Sequence, residues 1–148
     1  MKVFYQYGTK ERLFEVMKRV NNINENVLPV ERKATIIADF IDFIDNKLNL
    51  NGNVPEIKIS YDSDVAQKMK SFGKYTPEIK ELMVVVSNRN LADILRTLAH
   101  ELVHHKQNVE DRLDSESNET GSDIENEANS LAAQFMREYG KNNPIIFE

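Results

Sequence analysis

The run Thr97-Leu98-Ala99-His100-Glu101-Leu102-Val103-His104-His105 constrains this chain more than any other stretch. Leu91, Ile94, Leu95, Leu98 and Leu102 recur with the period of an amphipathic helix. That periodicity predicts a helix over 91–109, with Asn90 as its N-cap. His100 and His104 are four residues apart, so they share one face of that helix, opposite the apolar stripe and beside Asp93, Thr97 and Gln107. Two imidazoles so placed can bind one metal ion, and Glu101, one step round the helix, can reach a water on that ion. The plain alternative is an amphipathic helix with two solvated histidines, because H-E-x-x-H specifies only three positions of five. His105 is seven residues from Leu98, close to the buried stripe, and is expected to be a packed, hydrogen-bonded histidine rather than a ligand.

The chain has 148 residues, enough for one domain with a real core, so 1–148 is read as a single domain. Its three histidines all fall in this one stretch, and it has no cysteine. Disulfides are therefore excluded, and any zinc site must draw on His, Asp or Glu, a mixed set typical of catalytic zinc. The net charge of −5 argues against nucleic acid as the main partner. No apolar run approaches a membrane span, and the first eight residues are too short and polar for a signal peptide, so a cytoplasmic compartment is expected.

Taken in order, the pattern predicts a short strand over 2–7 and a helix over 9–20 capped by Thr9. A polar link over 21–29 follows, then a second helix over 31–48 with Ile36, Ile37, Phe40, Ile41, Ile44 and Leu48 on one face. A turn at 51–53 leads to an alternating strand over 56–61 and a short helix over 64–71. Residues 72–77 read as a loop, and Met83-Val84-Val85-Val86 is the strongest strand signal in the chain. Residues 110–122 read as a solvated loop. From Glu110 to Glu127 there are eight acidic residues and one basic residue, Arg112, which would give an acidic rim favouring basic substrates. Ser122-Asp123-Ile124-Glu125 is a capping box that opens a last helix, closed by Gly140. The apolar tail over 145–147 is expected to dock back on the body. The first 80 residues thus contribute helices and a strand, and 81–140 carry the strand, motif helix, acidic loop and last helix of an α+β domain.

A catalytic metal site of this kind needs a third protein ligand and an open position. With no other His and no Cys, that ligand must be a carboxylate, and the last helix offers Glu125 and Glu127. Both flank its apolar stripe, so periodicity does not choose between them.

His100-Glu101-Leu102-Val103-His104, followed after a loop by Glu125-Asn126-Glu127-Ala128-Asn129-Ser130-Leu131-Ala132-Ala133, resembles the gluzincin class of zinc metallopeptidases. The E-x-E-A-N-x-x-A-A form is most similar to the small intracellular ImmA/IrrE-like peptidases, a group often carried by phages and mobile elements. The resemblance spans about 83–138 and implies a minimal zincin-like domain of several helices on a small sheet. It implies Zn²⁺ held by His100, His104 and Glu127, a protein or peptide substrate, and Glu101 as general base for a zinc-activated water. It further implies that the strand at 83–86 borders the cleft, with extended peptide adding along its edge.

The sequence departs from the thermolysin-like pattern at Leu131, where that pattern has Asp, which leaves Asn129 or Asp123 as the outer partner of a zinc histidine. Tyr75, Tyr139 and His105 are the candidates to stabilise an oxyanion, although a half-buried core position suits both tyrosines better. The competing reading is a non-catalytic zinc-binding protein, or a virion or host-interaction protein with a retired site. Retention of Glu101 and the lack of a fourth His or Cys weigh against it.

Overall fold

Alternation of apolar and polar residues builds a four-stranded sheet from short segments. In the computed structural model, which describes residues 3–6, 30–60, 63–113 and 122–147, the strands are β1 (Val3–Gln6), β2 (Glu56–Ser60), β3 (Gly73–Thr76) and β4 (Glu81–Val85). Their order is β1-β2-β4-β3. β2 and β4 run parallel in the centre, while β1 and β3 pair antiparallel at the two edges. Ile57, Ile59, Leu82 and Val84 point into the core from the two central strands. The helix expected over 9–20 and the link over 21–29 lie outside the described residues, as does 114–121 of the acidic loop.

Four helices accompany the sheet: α1 (Val30–Lys47), α2 (Ser63–Met69), α3 (Leu91–Val109) and α4 (Asp123–Asn142). The architecture is therefore α+β, as the sequence predicts. None of the described helices is long and apolar enough to cross a membrane. The expected stripe of α1 is buried from Ile36 to Leu48. Asn90 caps α3, its side chain accepting from the Asp93 N–H at 2.9 Å. Leu91, Ile94, Leu95, Leu98 and Leu102 are all buried, as their spacing requires. Each fully buried leucine contributes about 2 kcal/mol.

Aromatic contacts tie α4 to α1. Phe40 and Tyr139 meet edge to face with ring centroids 5.0 Å apart, and the Tyr139 hydroxyl donates to Asp39 Oδ2 at 2.7 Å. At the other end of α3, Arg89 reaches back along the helix. Its guanidinium donates to the carbonyls of Val85 and Asp93 and, at 2.8 Å, to Thr97 Oγ1.

Two local expectations are corrected. Residues 73–76, expected in a loop, form edge strand β3, with Gly73 and Tyr75 inward and Lys74 outward. Glycine at an inward position hides the period-two signal. It is there because a Cβ at Gly73 would overlap Thr97 Cγ2 and lie 3.2 Å from Glu101 Cγ. The second correction concerns Gly140, which lies inside α4 rather than closing it. The absence of a Cβ there makes room for the ring of Phe147. Phe147 belongs to a 3₁₀ turn (Pro144–Phe147) that docks on the body through buried Ile146.

Arg89 holds Thr97 in place, so Thr97 cannot rotate away from a new methyl group at position 73. Gly73→Ala is therefore expected to destabilise the fold by about 1–3 kcal/mol through overpacking, measured by chemical denaturation.

Candidate metal centre

The site forms where the first turn of α4 meets the middle of α3. Ser122 caps α4, its hydroxyl accepting from the Glu125 N–H at 3.1 Å, which sets Glu125 in the first turn. Its two carboxylate oxygens then straddle the histidine pair. Oε1 lies 2.9 Å from His100 Nε2, and Oε2 lies 3.1 Å from His104 Nε2. The two Nε2 atoms are 3.1 Å apart. Among the described residues, these three form the one group of His, Cys, Asp or Glu side chains close enough to hold an ion together.

The carboxylate that meets the histidines is Glu125, not the Glu127 that the resemblance implies. Glu127 does not reach the histidines. Its carboxylate accepts two parallel hydrogen bonds from Arg112, each 2.9 Å, and a third of 2.9 Å from Gln107 Nε2. Two residues along a helix is a turn of about 200°, so Glu125 and Glu127 face in different directions. These contacts hold the Glu127 carboxyl below its ordinary range, the Arg112 hydrogen bonds being the largest cause. Glu125 is the acidic member of the capping box legible in the sequence, but that its turn of α4 meets α3 is decided by the tertiary structure.

The outer partners also differ between the two histidines. His104 Nδ1 lies 2.8 Å from Gln107 Oε1, a residue that sequence reasoning placed on the polar face without assigning it a partner. His100 has a side-chain hydrogen bond with Asn129, one of the two expected partners. Burial, reinforced by neighbouring His104, pushes the His100 imidazole below its usual pKa, which favours the neutral ring that a metal requires. Glu101 is buried beside this group. That burial, with the nearby Glu125 charge adding to it, pushes its carboxyl up to about 8. A bound dication acts in the opposite direction.

His105 is fully buried and packed, as expected. Its Nε2 donates to the Asn53 carbonyl at 2.8 Å, and the Tyr75 hydroxyl donates to its Nδ1 at 2.7 Å. Tyr75 also accepts from Asn108 Nδ2, while Tyr139 is engaged with Asp39. All three candidates for oxyanion stabilisation are thus committed to structural hydrogen bonds.

His100, Glu101, His104 and Glu125 line an open cleft of about 1140 Å³. Its near wall is edge strand β3, through Gly73, Lys74 and Tyr75. β4, which the resemblance implies borders the cleft and which equally reads as a central core strand, is paired on both sides. The described lining carries Lys68, Lys70, Lys74 and Arg96, and no acidic residue besides Glu101 and Glu125. The acidic rim expected from 110–127 rests largely on 114–121, which lie outside the described residues.

No protein-family model matches this chain, and neither a curated protein nor a solved structure matches it.

Because the Tyr75 hydroxyl is bonded to His105 and Asn108 and not to the histidine pair, Tyr75→Phe is expected to cost about 1 kcal/mol of stability and leave zinc binding unchanged. Denaturant titration and equilibrium dialysis of the same variant check both halves.

Proposed function

We propose that this protein is a zinc-dependent peptidase of zincin-like type, with His100, His104 and Glu125 as the metal ligands. The observation that carries the reading is the approach of two imidazole nitrogens and a carboxylate to within 3.1 Å of one another at the floor of an open cleft. Tetrahedral zinc with bonds of about 2.0–2.2 Å would place its ligand atoms about 3.3 Å apart, so an ion fits after an opening of a few tenths of an ångström. Three protein ligands leave the fourth direction to the cleft, the pattern of catalytic rather than structural zinc.

Bound there, zinc supplies a Lewis acid and a water that ionises near neutral pH. Glu101, adjacent to His100 in sequence and facing the same cleft, would be the group that takes up a proton from the attacking water and passes it to the leaving amine. β3 is an edge strand, and an extended peptide that replaced the Ser71 hydroxyl now bonded to the Gly73 N–H and C=O would align its carbonyl over the site. The basic side chains of the wall favour substrates acidic near the scissile bond.

Glu101→Gln is expected to retain bound zinc and lose at least 10²-fold in peptide hydrolysis. Glu125→Ala is expected to shed zinc, and Glu127→Ala to bind it more weakly but still measurably. Metal analysis of the purified variants, with hydrolysis of a peptide library, checks these outcomes. Wild-type activity in Glu101→Gln would overturn the base, and a zinc-loaded wild type without hydrolysis would favour the non-catalytic reading.

In the same assay, Lys74→Glu is expected to lower kcat/KM severalfold for acidic peptides and not for neutral ones. The difference should shrink as salt rises.

A further inference from the structure

The reading of His100, His104 and Glu125 as a zinc site leaves open why the neighbouring Glu127 is so firmly held. We propose that Gln107 is a positioning residue for His104, and that Glu127 and Arg112 form its anchor. Their joint effect is to fix His104 as the Nδ1–H tautomer, with its Nε2 lone pair directed at the site.

The assignment follows from donors and acceptors alone. Gln107 is fully buried, and its amide has one donating and one accepting end. Its Nε2 lies 3.1 Å from the Ile124 carbonyl and 2.9 Å from Glu127 Oε1, both of which only accept. The nitrogen end is thereby fixed, and the oxygen end faces His104 Nδ1 at 2.8 Å. A carbonyl oxygen cannot donate, so Nδ1 carries the hydrogen. A neutral imidazole has only one N–H, so Nε2 presents a lone pair. That lone pair faces a Glu125 oxygen 3.1 Å away. The same lone pair lies 3.1 Å from His100 Nε2, so it is open to a ring hydrogen from His100 or to a cation.

Glu127 keeps Gln107 from flipping. Its carboxylate is gripped by Arg112 through two parallel bonds, so it presents a fixed acceptor to the Gln107 amide. A chain of hydrogen bonds thus runs from a surface guanidinium to a ligand atom. His105 supplies an internal contrast. Its Nε2 donates to the Asn53 carbonyl, so its hydrogen is on Nε2, whereas that of His104 is on Nδ1. Two consecutive histidines are therefore held in opposite tautomers.

The test begins with the metal-free wild-type protein and ¹⁵N-histidine NMR at a pH where the rings are neutral. The expected result is Nδ1–H for His104 and Nε2–H for His105; an Nε2–H signal from His104 overturns the proposal. Zinc dissociation constants come next. Gln107→Leu is expected to bind zinc about 10–100-fold more weakly. Glu127→Leu should weaken binding in part, and Glu127→Gln, which retains an acceptor for Gln107, should recover most of it.

A purely structural role would lower the melting temperature of the metal-free variants without altering zinc affinity, and that outcome overturns the proposal. Should Gln107→Leu fail to fold, the wild-type NMR result decides. A wild-type protein that binds no zinc overturns the site reading and this inference together. Zinc bound equally by wild type and folded Gln107→Leu overturns this inference alone.

Discussion

The packing of α4 across α3 is the constraint on which the rest of the molecule depends. α3 is buried on its inward side by Leu95, Leu98 and Leu102, and α4 lies against it, with Ala128, Ala132 and Phe135 buried along its own apolar face. The first turn of α4 lies close to the middle of α3, as the Gln107 Nε2 to Ile124 carbonyl bond of 3.1 Å shows. That closeness brings a carboxylate in the first turn of α4 to two imidazoles in the middle of α3. Tyr139 and the aromatic cluster around Phe40 and Phe43 hold the far end of α4 against α1, so the crossing is fixed from both ends.

The polar side of α3 is divided between two tasks. His100, Glu101 and His104 turn toward the cleft, and His105 turns toward the turn before β2. The turn at 49–53 supplies the Asn53 carbonyl that His105 requires, with positive φ at Asn49, Asn51 and Gly52. A buried imidazole without such partners would cost more than the fold could readily supply. Three histidines within six residues therefore serve two different ends, and only their hydrogen-bond partners tell them apart.

The same crossing creates the cleft wall. Gly73 passes so close to Thr97 and Glu101 that a methyl group does not fit, which sets β3 directly beside the histidines. A strand edge, a buried carboxyl and a cluster of groups that could hold a metal ion thus meet within one cavity.

Much of this was legible in the sequence. The apolar periods of α1, α3 and α4, the Asn90 and Ser122 caps, the central strands β2 and β4, and the pairing of His100 with His104 all follow from spacing, because backbone geometry fixes which residues share a face. The packed state of His105 followed from its distance to the stripe. What spacing did not determine was the choice between Glu125 and Glu127. Both flank the same stripe, and which one meets α3 depends on the angle and height at which the helices cross. β3 escaped notice for a related reason: its inward residue is a glycine demanded by a helix distant in sequence. The link from Gln107 to Glu127 joins two elements across a loop. Sequence alone defines the faces of single elements; only tertiary structure decides which faces meet, because that choice rests on contacts between residues far apart in the chain.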